Sequence, residues 1–379
     1  MTIYRKHIAL IRSLYRGVDA FVEELRSFTE IDDEAFLCFL RDHRLRPWLN
    51  PVVENEEASR TLPGGVLKHL QVHAPRSRAR VDRLISQAGE LRDGLAEREI
   101  DALFFKGIIL GTEVYRDPYR RHQSDVDLMV DRSDLRAAVH LLGTLGYNTE
   151  FDSSTGHPLD FRIARILKKP FAAKTYAACS LKRDDETVDL HCCLRVRYET
   201  SIDFRALHGT SREIEVSGSI YSGPSQENGL LILLLVMADD LRRSACRAKL
   251  FLDLHMSLHA LEPDWSWDHF FAARREERLE KLVVNVFALF LELWDCALEF
   301  PQLSDAITRR SALVEIANSA DADAIIARPH KHPANRLLHR RIYTAAKFGD
   351  IARRCATDLP HSAARMAGLR RTLLNFPSA

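Results

Sequence analysis

The amino-acid sequence predicts an α+β protein in which a strand-containing middle is flanked by N-terminal and C-terminal helical regions. Apolar residues repeat at helical spacing from Ile8 to Phe28, and helical spacing returns after about Ser225. Between these regions, short runs rich in β-branched and aromatic residues are bounded by turn signals. The 379 residues, 46% hydrophobic and 28% charged, suffice for two or three packed units.

The N-terminal region, residues 1–75, is expected to be helical. The spacing of Ile8–Phe28 is repeated in Glu34–Arg44. Residues Asn50–Gly65 are rich in helix breakers and predict a loop or linker. A long charged helix is expected to follow from about Arg76 to Glu97.

The middle of the chain, residues 76–225, is expected to form the core. Ile100–Gly107 predicts a strand that runs into a turn, and Ile108–Tyr115 predicts a short helix. Gln123–Val130 predicts a buried strand, and Ser133–Gly143 predicts a helix with Ser133 as its N-cap.

Two further β-rich runs, Tyr176–Leu181 and Thr187–Val196, are separated by the polar sequence Lys-Arg-Asp-Asp-Glu. This pattern predicts a β-hairpin.

The C-terminal part is expected to contain a helical domain over residues 226–325 that packs on the core, and a basic helical segment over residues 326–379. The predicted helices of this domain are Glu227–Arg243, Ala248–Leu261, Trp267–Arg275 and Leu279–Glu299. From Arg328 onward there are eleven Lys or Arg and two Asp. Such a segment is typical of a solvated surface, and a nucleic-acid-binding arm is the alternative.

The overall charge gives no general attraction for nucleic acid or an acidic membrane. Lys and Arg number 54 and Asp and Glu 53, so the formal net charge is +1. The first ten residues lack the pattern of a secretory signal. The longest apolar run, Leu230–Ala238, is far shorter than the roughly twenty residues that cross a bilayer. We therefore expect a cytoplasmic protein without a membrane partner.

The seven cysteines are scattered and show no Cys-x-x-Cys pair. This spacing disfavours structural zinc and a disulfide scaffold. Cys192 and Cys193 are the only close pair, and because adjacent strand residues face opposite ways we expect them to be buried free thiols. The cysteines are Cys38, Cys179, Cys192, Cys193, Cys246, Cys296 and Cys355.

Two carboxylates, Asp125 and Asp127, lie within the predicted strand Gln123–Val130. Alternate strand residues point to the same face, so these side chains are expected to lie side by side. Two close carboxylates repel each other unless a cation offsets their charge. Mg²⁺ prefers such oxygen ligands together with substrate phosphates. The alternative is an exposed strand end with two solvated acids.

The chain resembles the polymerase-β-type nucleotidyltransferase superfamily, and more closely its branch of bacterial, uncharacterised nucleotidyltransferase-family proteins. The resemblance spans about residues 95–300. The segments that carry it are Lys106-Gly107, Tyr115-Arg-Asp-Pro118, Arg121, Ser124-Asp-Val-Asp-Leu128, Leu145-Gly146-Tyr147 and Val188-Asp-Leu-His191.

The resemblance implies a nucleotidyltransferase core built on a small mixed β-sheet. Asp125 and Asp127 match the paired metal ligands of the superfamily, and Asp189 matches its third carboxylate. The implied metal is Mg²⁺ or Mn²⁺, and the implied substrate is a nucleoside triphosphate, most simply ATP. Asp189 then either helps to orient a second metal or takes the proton of the attacking hydroxyl.

Four residues are candidate contacts for the nucleotide. Gly107 follows a strand and lets backbone N–H groups approach phosphate oxygens. The superfamily usually has a second small residue next, whereas this chain has Ile108. Lys106 and Arg121 are candidate phosphate contacts, with a surface salt bridge to Asp117 or Glu113 as the alternative. Ser124 is expected to hydrogen-bond either a ligand or the backbone of Asp125.

Two other residues have two interpretations each. His191 lies two residues beyond Asp189 and either contacts substrate or packs at the strand end. Asp253 lies among apolar residues and either faces the cleft or pairs with Arg247 or Lys249. The tryptophans at 265, 267 and 294 are expected to pack in the core.

The function expected from the resemblance is transfer of a nucleoside monophosphate to an unidentified acceptor, with release of pyrophosphate. The acceptor is expected to be a small molecule, peptide or protein; nucleic acid is not favoured. One alternative is a catalytically inactive protein that keeps the fold for binding or scaffolding. Another is an RNA-directed nucleotidyltransferase that uses the basic C-terminus.

Overall fold

A mixed five-stranded β-sheet forms the centre of the protein. In the computed structural model, residues 3–28, 32–149, 178–196, 200–243 and 246–314 are described. The strands of this sheet are β1 (Ala102–Phe105), β2 (Val126–Val130), β3 (Asn148–Thr149), β4 (Ala178–Arg183) and β5 (Glu186–His191). The basic segment 326–379, Cys355 and the start of the predicted strand at Tyr176 lie outside the described residues.

The strands follow the order β1-β2-β5-β4-β3. β2 is antiparallel to β1 and parallel to β5, whereas β4 and β5 form the predicted antiparallel hairpin. The expected α+β fold with a small mixed sheet is confirmed.

Within the described residues, six α-helices precede the sheet. They are α1 (Ile3–Ser13), α2 (Val18–Ser27), α3 (Asp33–Asp42), α4 (Asn50–Glu54), α5 (Glu56–Ser59) and α6 (Gly64–Ala96). The helical pattern of Ile8–Phe28 is interrupted at Gly17, whose φ of 121° suits a residue without a side chain.

The prediction of a loop over Asn50–Gly65 is wrong, because α4 and α5 lie there and α6 begins at its end. Pro51 occupies the first turn of α4, where a missing N–H costs nothing. The Asn55 side chain accepts a hydrogen bond from the Ala58 N–H and caps α5. Residues that break a helix interior here mark helix beginnings.

Two helices flank β2 in sequence, α7 (Gly107–Glu113) and α8 (Leu135–Thr144). The predicted N-cap role of Ser133 is wrong, because Asp134 occupies the cap position of α8. The Ser133 N–H and hydroxyl both donate to the Asp131 carboxylate, at 2.9 Å each. The serine therefore closes a turn before the helix.

Two small hairpins follow the sheet and were not predicted. β6 (Cys193–Val196) pairs with β7 (Thr200–Asp203), and β8 (Arg212–Val216) pairs with β9 (Ser219–Gly223). The short helix α9 (Phe204–His208) joins them. The predicted single strand Thr187–Val196 is in fact two strands, β5 and β6, which belong to different sheets.

The C-terminal helices confirm all four predicted elements. They are α10 (Gln226–Arg243), α11 (Ala248–His259), α12 (Trp267–Glu276), α13 (Glu280–Trp294) and α14 (Pro301–Thr308). Within the described ranges, no helix is both long enough and apolar enough to span a membrane.

Side chains alternate across β1 and β2 and enter two different hydrophobic cores. Phe104 and Leu128 pack with α6 and α8 in one core. Leu103, Phe105 and Met129 belong to a second core that the N-terminal helices share with α10 to α14. Asp127 therefore lies on the face of β2 that is turned toward this second core.

The buried aromatic residues and cysteines agree with the sequence expectations. Trp267 and Trp294 are buried in the second core, and Trp265 packs against it. None of the six described cysteines forms a disulfide, and four of them, including Cys192 and Cys193, are buried.

Candidate active site

Asp127 and Asp189 face each other across two neighbouring strands. They are directly paired in the parallel register of β2 and β5. Their carboxylate oxygens and an imidazole nitrogen of His191 all lie within 4.8 Å of one another. Only 6% of Asp127 is exposed. The third carboxylate implied by the resemblance thus lies beside the aspartate strand.

Asp125 lies two residues before Asp127, immediately ahead of β2. Its carboxylate is not part of the compact group of three ligand atoms. Burial raises the pKa of Asp125, and the charges of Asp127 and Asp189 raise it further. The Ser124 hydroxyl donates to the Asp125 carboxylate at 3.3 Å, rather than to a backbone group. The three acids therefore repel one another in a partly dry site.

Lys106 and His191 offset this repulsion at Asp127. Lys106 Nζ donates to Asp127 Oδ1 at 2.7 Å, and His191 Nε2 lies 3.5 Å from the same oxygen. Burial alone would raise the pKa of Asp127, but the Lys106 and His191 contacts hold it well below its usual range. Lys106 thus pairs with a candidate metal ligand rather than with Asp117 or Glu113.

The turn at Lys106 and Gly107 is pressed against the aspartate strand. Lys106 has a φ of 55° and Gly107 a φ of 24°, both in the region that disfavours L side chains. A Cβ atom on Gly107 would lie 3.3 Å from the carbonyl oxygen of Asp125. The glycine therefore allows the backbone to approach the candidate metal ligands closely.

Arg121 forms a buried ion pair with Asp253 of α11. Its Nε and Nη2 donate to the two Asp253 oxygens at 2.8 and 2.9 Å, and Tyr115 donates to Oδ1 at 2.7 Å. A third Arg121 nitrogen donates to the Gly107 carbonyl at 3.3 Å. The surface salt bridge to Asp117 or Glu113 is wrong, because Arg121 is only 5% exposed.

This ion pair bears on the alternatives that the sequence left open for Asp253 and Arg121. Asp253 is completely buried, and Arg121 and Tyr115 are its hydrogen-bond partners rather than Arg247 or Lys249. Direct phosphate binding by Arg121 stays a prediction, since its guanidinium already has a carboxylate partner. What the geometry does establish is that Arg121 connects α11 to the Gly107 turn.

A basic cluster near Asp125 was not predicted from the sequence. Burial and the charge of Arg121 lower the pKa of Lys249 to about 7, and Lys249 in turn acts on Asp125. Burial, Lys249 and Arg44 lower the pKa of His122 to about 2. Arg44 interacts electrostatically with Asp125 as well. No local motif marks this cluster, because Arg44 follows α3 and Lys249 lies in α11.

A cavity of about 310 Å³ adjoins the candidate site. Lys106 and Arg121 line one side, while α7, β8, α10 and α11 supply the rest of the wall. The Thr112 hydroxyl in this wall has no hydrogen-bond partner among the described residues. The aspartates do not line the cavity. The cavity is therefore a separate space next to the candidate metal ligands.

A small mixed sheet with acidic residues paired across two neighbouring strands is the arrangement that the resemblance to nucleotidyltransferases implied. Residues 29–295 match the family described as uncharacterised nucleotidyltransferase, and the chain belongs to this family. No curated protein shows significant sequence similarity to the chain.

Several solved structures are similar to parts of the chain. The solution structure of the antibiotic-resistance factor ANT(2'')-Ia is 15% identical, covers 51% of this chain and 92% of its own, and has a TM-score of 0.36. The crystal structure of ANT(2'')-Ia with adenylyl-2''-tobramycin is 13% identical, with coverage of 51% and 96% and a TM-score of 0.35. An antigenic nucleotidyltransferase-like protein from Paracoccidioides brasiliensis is 18% identical, with coverage of 60% and 93% and a TM-score of 0.35.

Proposed function

We propose that the protein transfers a nucleoside monophosphate, most simply AMP from ATP, to a hydroxyl or similar group of an acceptor. The observation that carries this proposal is the pairing of Asp127 with Asp189 across parallel strands, with Asp125 two residues away. The bond formed joins the acceptor oxygen to the α-phosphorus. The bond from the α-phosphorus to the bridging oxygen breaks, and pyrophosphate leaves with the electron pair.

The donor set fits a hard divalent cation. Asp125, Asp127 and Asp189 would hold Mg²⁺ or Mn²⁺, because carboxylate oxygens are the ligands these ions prefer. When bound, the ion supplies positive charge that offsets both the clustered carboxylates and the triphosphate. The raised pKa of Asp125 fits a site whose three acids need a cation.

The basic residues around the carboxylates are proposed to hold the triphosphate. Lys106 carries the positive charge nearest Asp127, and a phosphate oxygen offers it an alternative partner. Arg44 lies on the Asp125 side of the cleft, as does Lys249, whose pKa of about 7 lets it add positive charge when it is protonated. Gly107 lets the turn come close to the phosphates, and Arg121 fixes the carbonyl of that turn.

Asp189 has two roles open to it. It either completes the ligands of the ion or accepts the proton of the attacking hydroxyl. The two roles separate kinetically in Asp189→Asn. A lost ligand raises the metal concentration needed for half-maximal rate, whereas a lost base lowers kcat at saturating metal.

The size of the neighbouring cavity supports a small acceptor. Its volume of about 310 Å³ lies at the lower end of ligand pockets, which measure roughly 300–1,000 Å³. A small molecule or a side chain of a peptide or protein fits such a space better than a long nucleic acid. The near-neutral net charge of +1 points the same way.

The decisive experiment measures pyrophosphate release with each nucleoside triphosphate, Mg²⁺ and a panel of acceptors. We expect Asp127→Asn to lower the rate by at least about a hundredfold, since charge stabilisation at such sites supplies several kcal/mol. Asp185→Asn is the matched control, because Asp185 is exposed in the turn of the β4–β5 hairpin. Equal rates for Asp127→Asn and the wild-type protein would show that the site is wrongly assigned.

Calorimetric titration distinguishes the enzyme from an inactive binding or scaffold protein. An active nucleotidyltransferase should bind nucleoside triphosphate in the presence of Mg²⁺ and lose most of that binding without it. Absence of nucleotide binding under both conditions would favour the scaffold alternative.

A further inference from the structure

A second cluster of side chains of the types that bind metals lies in the helical part of the protein. His255 and His259 are one turn apart on α11, and Glu299 follows α13. One nitrogen from each histidine and one Glu299 oxygen lie within 4.8 Å of one another. His259 Nε2 is 2.7 Å and His255 Nε2 is 3.3 Å from Glu299 Oε1. This cluster shares no residue with the nucleotidyltransferase site.

His255 is the residue that sets this cluster apart from an ordinary ion pair. It is only 1% exposed, and neither of its ring nitrogens has a hydrogen-bond partner within the described part of the chain. A buried polar group without a partner destabilises a fold. Its Nε2 lies 3.3 Å from the Glu299 oxygen that His259 also contacts, without forming a hydrogen bond to it. A cation at this point would give the orphaned nitrogen a partner.

The neighbouring arginine fixes the orientation of the Glu299 carboxylate. Arg12 donates to the second Glu299 oxygen, Oε2, at 3.1 Å and leaves Oε1 facing the histidines.

Aromatic side chains hold the two imidazole rings in place. Tyr15 stacks on His259 at 4.1 Å between ring centroids and meets His255 edge-on at 5.1 Å. Phe300 contacts both rings, at 4.7 and 5.5 Å. Such packing restricts the ring positions, which lowers the entropy lost when a ligand is bound.

We propose that His255, His259 and Glu299 form a binding site for a transition-metal ion, with Zn²⁺ as the ion the donors fit best. Two imidazoles and a carboxylate are a common zinc donor set, and water completes the tetrahedron. Zinc bonds of about 2.0–2.2 Å place neighbouring donors roughly 3.4 Å apart. The His255–Glu299 distance of 3.3 Å already matches this separation, whereas the hydrogen-bonded His259–Glu299 distance of 2.7 Å would have to lengthen when the ion binds. The ion would tie α11 to the segment between α13 and α14.

The test is Zn²⁺ binding to the full-length protein after treatment with a chelator, followed by competition with a chromophoric chelator. The wild-type protein should bind Zn²⁺ at this site, and His259→Gln and Glu299→Gln should each weaken that binding at least about tenfold. His269→Gln is the matched control, because His269 is 76% exposed and lies 4.0 Å from another glutamate, Glu227. The control should bind Zn²⁺ as the wild type does.

The variant Asp189→Asn distinguishes Zn²⁺ bound at the nucleotidyltransferase site from Zn²⁺ bound at the histidine cluster. Binding at the histidine cluster should persist in Asp189→Asn and weaken at least about tenfold when His259→Gln is added to that variant. Zn²⁺ should also raise the Tm of Asp189→Asn, and it should raise the Tm of the double variant Asp189→Asn/His259→Gln much less. Equal Tm values for His259→Gln and wild type in chelator would show that the variant is folded.

Two results would overturn the zinc site. One is Zn²⁺ binding that is lost entirely in Asp189→Asn, which would place the ion at the other acidic cluster. The other is unchanged Zn²⁺ affinity in His259→Gln and Glu299→Gln, which would leave the three residues as a hydrogen-bonded ion pair only.

Discussion

Some charged residues of the candidate active site could be predicted from the sequence, and others could not. The apolar residues of β2 identify it as a buried strand that carries Asp127, whereas Asp125 lies just ahead of β2 and not on the strand. The position of Asp189 required the family resemblance, because pairing between β2 and β5 cannot be read from either strand alone. Lys249 and Arg44 reach the site from separate helical segments, so no spacing rule could find them.

At this scale we predict that Lys249→Met raises the KM for the nucleoside triphosphate by about tenfold or more. A hydrogen bond to a charged group contributes about 1.5–3 kcal/mol, and Lys249 is the cation of α11 that acts on Asp125. Steady-state kinetics of pyrophosphate release provide the measurement. Lys68→Met, on the exposed surface of α6, should leave KM unchanged. An unchanged KM in Lys249→Met would remove Lys249 from the triphosphate site.

Among the elements, those with a long periodic pattern were predicted best. The four helices after Ser225 and the β4–β5 hairpin are present as expected. The segment Asn50–Gly65 was misjudged because Pro and Asn favour the first turn of a helix as well as loops. The β8–β9 hairpin was not predicted, although its buried residues Ile214 and Val216 alternate with charged ones in the way that indicates a half-buried strand.

The Arg121–Asp253 ion pair connects α11 to the Gly107 turn, and we predict that the fold loses stability in acid as this pair is lost. Although burial acts in the opposite direction, the Arg121 charge lowers the pKa of Asp253 below the unfolded value of 3.8. The ionised carboxylate therefore stabilises the fold above about pH 4, and this contribution is lost as the pH falls through the lower folded pKa.

We expect Asp253→Asn to reduce the free energy of unfolding at pH 7 by about 3–5 kcal/mol, because Arg121 is left buried without its carboxylate. The difference from wild type should shrink below about pH 4. Urea denaturation between pH 3 and pH 7 measures both effects, with the exposed Asp264→Asn as the control. A difference that is constant over this range would contradict the assigned ionisation of Asp253.

For the molecule as a whole, the N-terminal and C-terminal helices fold around one core. Leu10 of α1 is fully buried in the same cluster as Phe287 of α13. Trp48 donates to the Ile11 carbonyl at 2.9 Å, and the Ala248 N–H donates to His43 at 3.0 Å. The sequence indicated helices at both ends but could not show that their apolar faces meet, since that contact joins residues far apart in the chain.

We predict that Leu10→Ala lowers the free energy of unfolding by about 2–5 kcal/mol and weakens α13 together with α1. Hydrogen exchange should show faster exchange of the amides of Glu280–Trp294 as well as those of Ile3–Ser13. Leu298→Ala is the control, because Leu298 is 99% exposed. Faster exchange confined to the N-terminal helices would show that the two groups of helices are independent.

Helix α11 has a consequence for how the sequence can vary. Ten of its twelve residues are buried, and Asp253 and His255 lie about 200° apart around its axis. One side therefore holds the pair with Arg121, and the opposite side presents the two histidines to Glu299. The two residues of this helix that are only half-buried, Lys249 and His259, are both part of the proposed sites, so few of its positions would tolerate a polar substitution. Amino-acid changes in α11 should therefore be tolerated only when they preserve both side-chain volume and hydrogen bonding. Changes on the exposed face of α6 should be tolerated much more freely.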